Sequence, residues 1–266
     1  MDVHSKSNSC RNYLPAVHAS TGRRHSLSAH LSRSARRFSA VVAPQLTKLE
    51  PLPILQTYPM LNLRIVNRTQ LNDAIDQYII HNGVRFSPIE FEITTSNEQR
   101  ILNVVLSPDE MTLSDGLKRV LTISFNDSDN DGDGVSICQI KHPVSGLKLY
   151  DFVEMPLTNV IHVSSSIDSC DKCMIYPETN IWLRMVTSCG CFFTSLQWHF
   201  RKRGILYATV RPNRTLFKEN SLRMEWTEEC ENDLRILVVA FAMIQVVREA
   251  FPSLMHLLQE RRRRKS

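Results

Sequence analysis

The sequence predicts a mainly β fold, a closed antiparallel β-barrel wrapped around one apolar C-terminal α-helix. Two observations carry this expectation. The segment Ile236 to Val247 has no polar face. A surface helix shows a polar stripe, so a helix without one must be surrounded. From Ile89 to Val210 the apolar residues recur with a period of two, in runs separated by short polar turns. Such a series is an antiparallel meander. A long meander either stacks into a sandwich or closes into a barrel. The all-apolar helix that follows it favours a barrel with the helix inside.

The chain has 266 residues, 42% of them hydrophobic, and a formal charge of +5. That suffices for a sizeable core in one large domain or two small ones. Only eight glycines and 8% aromatic residues are present. Collagenous, mucin-like and wholly disordered classes are thereby excluded. Seven cysteines, an odd number with four of them in two tight clusters, suit reduced thiols rather than a secreted disulfide framework. The first forty residues hold no continuous apolar stretch, so no secretory leader is expected.

Residues 1–48 read as a disordered basic arm rich in Ser, His and Arg. After Asp2 no acid appears until Glu50, and apolar residues are sparse and unphased. Arg23-Arg24-His25-Ser26 and Arg36-Arg37-Phe38-Ser39 have the form that basophilic kinases accept. Phosphate on Ser26 and Ser39 would lower the arm's positive charge and release it from an anionic surface. The arm is also a candidate for contacts with protein partners. The same Arg- and Ser-rich, acid-poor composition is that of a mitochondrial transit peptide. Residues 49–60, with Pro51, Pro53 and Pro59, read as an extended linker.

The barrel domain is expected over 61–252. Leu71, Ile75, Tyr78 and Ile79 have helical spacing, which predicts a short helix through Ala74 to Gln77. Strands are expected at 90–93, 100–105, 119–125, 135–140, 174–176, 181–186, 195–200 and 205–210. The central helix is expected over about 233–251. Asn232 or Asp233 would cap it, acids sit near its positive end, and Pro252 stops the pattern. Its apolar stretch is about 12 residues, roughly 18 Å of helix against roughly 30 Å of bilayer hydrocarbon. A tail-anchored reading, with 236–255 spanning a membrane, is opposed by the charges of Arg248 and Glu249. Residues 253–266 form a basic tail, in which Leu254, Leu257 and Leu258 suit a short interfacial helix.

Three constellations could carry chemistry. Asp127, Asp129, Asp131 and Asp133 alternate through a turn with Gly132, the core of a calcium loop. Hard cations want several converging carboxylate oxygens. The complete EF-hand pattern is absent, because Cys138 stands where the bidentate Glu belongs. Such a turn is either an exposed acidic hairpin or a weak calcium site, on the order of 10⁻⁴–10⁻³ M. Cys170, Cys173, Cys189 and Cys191 could supply four thiolates to zinc, or remain plain thiols. Arg261, Arg262, Arg263, Arg264 and Lys265 form a compact run that suits anionic lipid or nuclear import. No nucleophile elbow, P-loop or His-Glu-x-x-His motif is present, so ordinary hydrolase or kinase chemistry is not expected.

Read together, these residues resemble the phospholipid scramblases, within the tubby C-terminal-like superfamily that includes the LURP-one proteins. The resemblance covers roughly Leu71 to Val247. It rests on Ile75-Asp76-Gln77 before Ile79-Ile80-His81, and on Phe91-Glu92-Ile93 with Asn97-Glu98-Gln99-Arg100. Leu121-Thr122-Ile123 with its acidic turn follows, then Cys170-x-x-Cys173, and Cys189-Gly190-Cys191 leading to Trp198-His199-Phe200. The apolar stretch Ile236 to Val247 closes the series. The resemblance implies a barrel enclosing the C-terminal helix and calcium-dependent, bidirectional movement of phospholipids between leaflets. It implies a calcium segment between the last strand and the final helix, where Glu219, Asn220 and Glu225 are the nearby oxygen donors. It also offers thioacylation, such as palmitoylation, as a role for the four cysteines. The expected partner is an anionic phospholipid membrane, most simply the cytosolic face of the plasma membrane. The alternative is a non-enzymatic barrel module that binds protein, lipid or, less expected, nucleic acid, with a nuclear-targeting tail.

Overall fold

The computed structural model describes residues 47–80, 86–125, 134–166, 173–178, 197–213, 221–250 and Leu258. Twelve strands form one closed antiparallel barrel. They are β1 (Met60–Ile65), β2 (Ile89–Thr94), β3 (Arg100–Leu106), β4 (Met111–Asp115), β5 (Lys118–Ser124) and β6 (Val135–Lys141). There follow β7 (Lys148–Glu154), β8 (Ile161–Ser165), β9 (Cys173–Glu178), β10 (Gln197–Lys202), β11 (Ile205–Pro212) and β12 (Ser221–Trp226). Each strand pairs with its neighbours in sequence, and β12 closes on β1 with Leu61 opposite Met224 and Leu63 opposite Leu222. Closure leaves no open sheet edge, which removes the usual template for unwanted strand addition.

Alternation decides which side chains fill the barrel. Leu61 and Leu63, Phe91 and Ile93, Met111 and Leu113, and Leu222 and Met224 point inward and are buried. The residues between them carry charge or hydrogen-bonding groups outward. Arg64 donates to Glu92 at 2.7 Å across β1 and β2, and Ser136 donates to Asp151 at 2.9 Å across β6 and β7. This is the reverse of a transmembrane barrel, whose strands turn apolar residues outward to lipid.

The apolar segment is helix α3 (Asn232–Gln245), continued by a π-helical turn over Val246–Ala250. Every residue from Leu234 to Gln245 is buried. Phe241 stands at the centre, with ring centroids of Phe200, Trp198 and Phe152 at 5.2, 5.8 and 6.3 Å. The first two contacts are edge-on, a favourable geometry for aromatic quadrupoles. The helix therefore supplies the core that twelve inward strand faces need. No described helix is long and apolar enough to cross a membrane. With α3 enclosed, the tail-anchored reading does not describe this fold.

Several expectations are corrected. The Pro-containing segment 49–60 is not an extended linker. It holds helix α1 (Ile54–Thr57) and buries Leu49, Leu52 and Leu55, and β1 already begins at Met60. Pro53 leads into α1, the Pro59 carbonyl accepts from the Trp226 N–H, and the leucines at 49, 52 and 55 belong to the barrel's core. The short helix expected at 74–77 is the middle of α2 (Arg68–Ile80). The side chain of Asn232 does not cap α3. Its amide faces Leu52 and, with the oxygen toward the Leu52 N–H, makes contacts of 2.9 and 3.1 Å to that residue's N–H and C=O. Glu231 takes the N-cap position without a side-chain capping bond. Leu258 of the basic tail packs into the hydrophobic core and is not an interfacial side chain. Strands β1, β4, β7, β8 and β12 were not expected as such. The strand expected at 181–186 lies outside the described residues.

Candidate functional site

The meander sorts every connection to one of two rims. At the proximal rim α3 begins, and the β2–β3, β4–β5, β6–β7 and β10–β11 hairpins turn there. At the distal rim α3 ends, and the β3–β4 and β7–β8 hairpins turn there.

The proximal rim is latched. Arg235, only 8% exposed, donates from Nη1 to Leu55 O at 2.9 Å and from Nη2 to Glu228 O at 3.2 Å. Its guanidinium lies 5.9 Å from the Trp226 ring centroid. One buried cation thus joins α1, the β12–α3 turn and the barrel wall. It satisfies carbonyls that burial would otherwise leave costly. Beside it, Cys230 is buried, and loss of water pushes its thiol up to about 11, against a smaller downward pull from Arg235. At the distal rim Arg248 donates to Glu154 at 2.9 Å, with both side chains about one quarter exposed. Just before it, Gln245 is 1% exposed and its Oε1 has no hydrogen-bond partner.

The residues singled out by sequence fall unevenly on this frame. Asp127, Asp129, Asp131 and Asp133 lie outside the described residues, as do Glu219 and Asn220. Glu225 is a β12 residue whose Oε1 accepts from Arg211 Nη2 at 2.8 Å and lies 2.7 Å from Arg223 Nε. Its charge is engaged by two arginines on the outer wall. Of the four clustered cysteines only Cys173 is described. It sits on β9, 6% exposed, with its Sγ 3.7 Å from Arg201 O. As placed it is a core thiol. Cys170, Cys189 and Cys191 lie outside the described residues, as do Ser26, Ser39 and Arg261 to Lys265. Among the described residues no three His, Cys, Asp or Glu side chains converge as a metal site.

One set of surface residues went unnoticed in the sequence. Leu117 and Val144 are 105% and 81% exposed at hairpin apices of the proximal rim. Ile205 and Leu206 are exposed beside the Arg203-Gly204 turn of the same rim. For Leu117, beside Lys118, and Val144, after Pro143, the signal was an aliphatic residue at a turn position, where turn chemistry asks for a polar side chain.

No protein-family model, no curated protein and no solved structure matches this chain. Fold and surface together define its class, a twelve-stranded closed barrel that is apolar within, polar without and plugged by its own C-terminal helix.

Proposed function

We propose that this chain is a phospholipid scramblase-like protein that works at a membrane surface and promotes bidirectional movement of phospholipids between leaflets. The observation that supports it best is the enclosed helix. An apolar α3 inside a closed antiparallel barrel is the architecture that the resemblance implied. The polar outer wall makes attachment peripheral, with the barrel lying against the bilayer and not across it. Calcium, if used, would go to Asp127, Asp129, Asp131 and Asp133, or to Glu219 and Asn220. Palmitoylation of Cys170, Cys189 or Cys191 and the run Arg261–Lys265 would strengthen attachment to the cytosolic face of the plasma membrane, since stable anchoring takes two signals.

The test is sedimentation with phosphatidylserine liposomes and fluorescent-lipid scrambling, run in parallel with and without calcium. Binding with calcium-stimulated scrambling is the expected result. Binding without scrambling removes the transport part and leaves a membrane-attached adaptor. Absence of both, for acylated as well as unmodified protein, overturns the reading. A second reading, a binding module carried to the nucleus by Arg261–Lys265, draws on the polar outer wall. It requires nuclear fluorescence that is lost when Arg261 to Arg264 become Ala.

A further inference from the structure

Four proximal hairpins and two distal hairpins are described in full, and their apices differ in kind. The β4–β5 apex is Asp115-Gly116-Leu117-Lys118, the β6–β7 connection runs from Lys141 to Lys148, and the β10–β11 apex is Arg201 to Leu206. These three proximal segments carry six cations (Lys118, Lys141, Lys148, Arg201, Lys202 and Arg203) against one acid, Asp115. The β2–β3 connection is balanced, with Glu98 and Arg100. The two distal segments, 106–111 and 154–161, carry Asp109, Glu110 and Glu154 and no Lys or Arg.

The same three proximal apices expose aliphatic side chains. Leu117 is fully exposed, Val144 is 81% exposed, Ile205 54% and Leu206 41%. The backbone places them there. Gly116, at φ +58°, makes a tight turn and leaves Leu117 at its tip. At the third apex Arg203 itself takes φ +55°, a conformation that Asn, Asp or Gly adopts more readily, before Gly204 at +83°. A cationic side chain is thus held at the tip at some backbone cost. Hairpin apices cannot be covered by their own barrel, so these aliphatic groups do nothing for the core.

We infer that the barrel docks end-on to an anionic bilayer through its proximal rim. Leu117, Val144 and Ile205 enter the headgroup layer, and Lys118, Lys141 and Arg201 to Arg203 meet lipid phosphates and carboxylates. Apolar tips ringed by cations match a surface that is negative outside and hydrocarbon within. Carboxylates do touch some of the rim's cations, namely Glu50 at Lys118, Asp151 at Lys148 and Glu231 at Lys202. The Lys118 and Lys202 pairs have exposed carboxylates, are weak and exchange readily with lipid phosphate, whereas the Lys148–Asp151 pair is only about one fifth exposed and stays closed. The acids of this rim that lie off the three apices include Glu228, Glu229 and Glu231, in the turn from β12 to α3. The docking arc therefore runs from the β4–β5 hairpin to the β10–β11 hairpin. Docked this way, α3 stands near the membrane normal and the distal rim faces away from the lipid.

This inference rests on the membrane reading above, and one experiment separates the two. Full-length protein is sedimented with phosphatidylserine/phosphatidylcholine vesicles at 0.1 M salt, as wild type, Leu117→Asp/Val144→Asp, Lys202→Glu/Arg203→Glu, and Leu157→Asp. Leu157 is 99% exposed on the distal β7–β8 hairpin and serves as the matched control. The apolar-tip pair should reduce the partition coefficient at least about tenfold. Each reversed cation should reduce it about fivefold or more. Leu157→Asp should leave it unchanged. Circular dichroism melts of the same variants check that the fold is kept. If wild type fails to bind, the membrane reading falls. If wild type binds and the folded tip variants bind equally well, end-on docking is overturned while membrane attachment stands. If Leu157→Asp alone weakens binding, the orientation is reversed.

Discussion

The two rims of this barrel come from one meander and are finished differently. At the proximal rim the helix start is tied down by Arg235, Asn232 and the buried leucines of segment 49–55, and the hairpin apices outside that seal are basic and aliphatic. At the distal rim the helix relaxes into a π turn, one ion pair about a quarter exposed joins it to the wall, and the described hairpins are acidic. Stability and surface chemistry thus divide along the barrel axis. The sealed end is also the end whose apices suit a lipid surface, so docking there need not disturb the core.

The largest expected effect lies midway between the rims. Phe241→Ala removes the ring around which Phe200, Trp198 and Phe152 pack, and should cost about 3–5 kcal/mol in urea unfolding. Arg235→Ala at the proximal rim should cost about 2–3 kcal/mol, because it strands two carbonyls and a cation–π contact. A smaller effect comes from pH. The unfolded Cys230 thiol loses its proton near 9.0 and the folded one near 11. Between those values the folded state holds more protons, so stability is intact below about pH 9 and falls as pH rises toward 11. The loss should reach about 1 kcal/mol by pH 10 and vanish in Cys230→Ala, measured by thermal melts across that range. Arg248→Ala at the distal rim should cost less than about 1 kcal/mol, since its pair with Glu154 keeps contact with water. Equal losses for Arg235→Ala and Arg248→Ala would show that the rims are held alike.

The fold was legible where period and length were clear. Strands β2, β3, β5, β6, β10 and β11 fall within two residues of expectation, and α3 begins one residue early. Strands β4 and β8 escaped because five residues give too few alternations to stand above the background. Strand β12 alternates well from Leu222 on, with Leu222, Met224 and Trp226 inward against Arg223 and Glu225 outward. The resemblance instead drew a reading of this stretch as a calcium segment, with Glu225 among its oxygen donors. Arg223 belongs to the outer face of the same strand, beside Glu225. The segment 49–60 was misread because prolines signal a linker, whereas its buried leucines have meaning only once a barrel mouth stands behind them.

The candidate site was less legible than the core. Leu117, Val144 and Ile205 are ordinary aliphatic residues in the sequence, and only the shared rim turns them into one surface. What the sequence determined alone was the need for enclosure. A helix apolar on every side cannot stand in water, and a run of half-apolar strands must cover something. What only the tertiary structure decided was position around and along the barrel. Closure of β12 on β1 and the alternation of hairpin ends place residues far apart in sequence on the same rim, because pairing registers and not chain distance set their spacing.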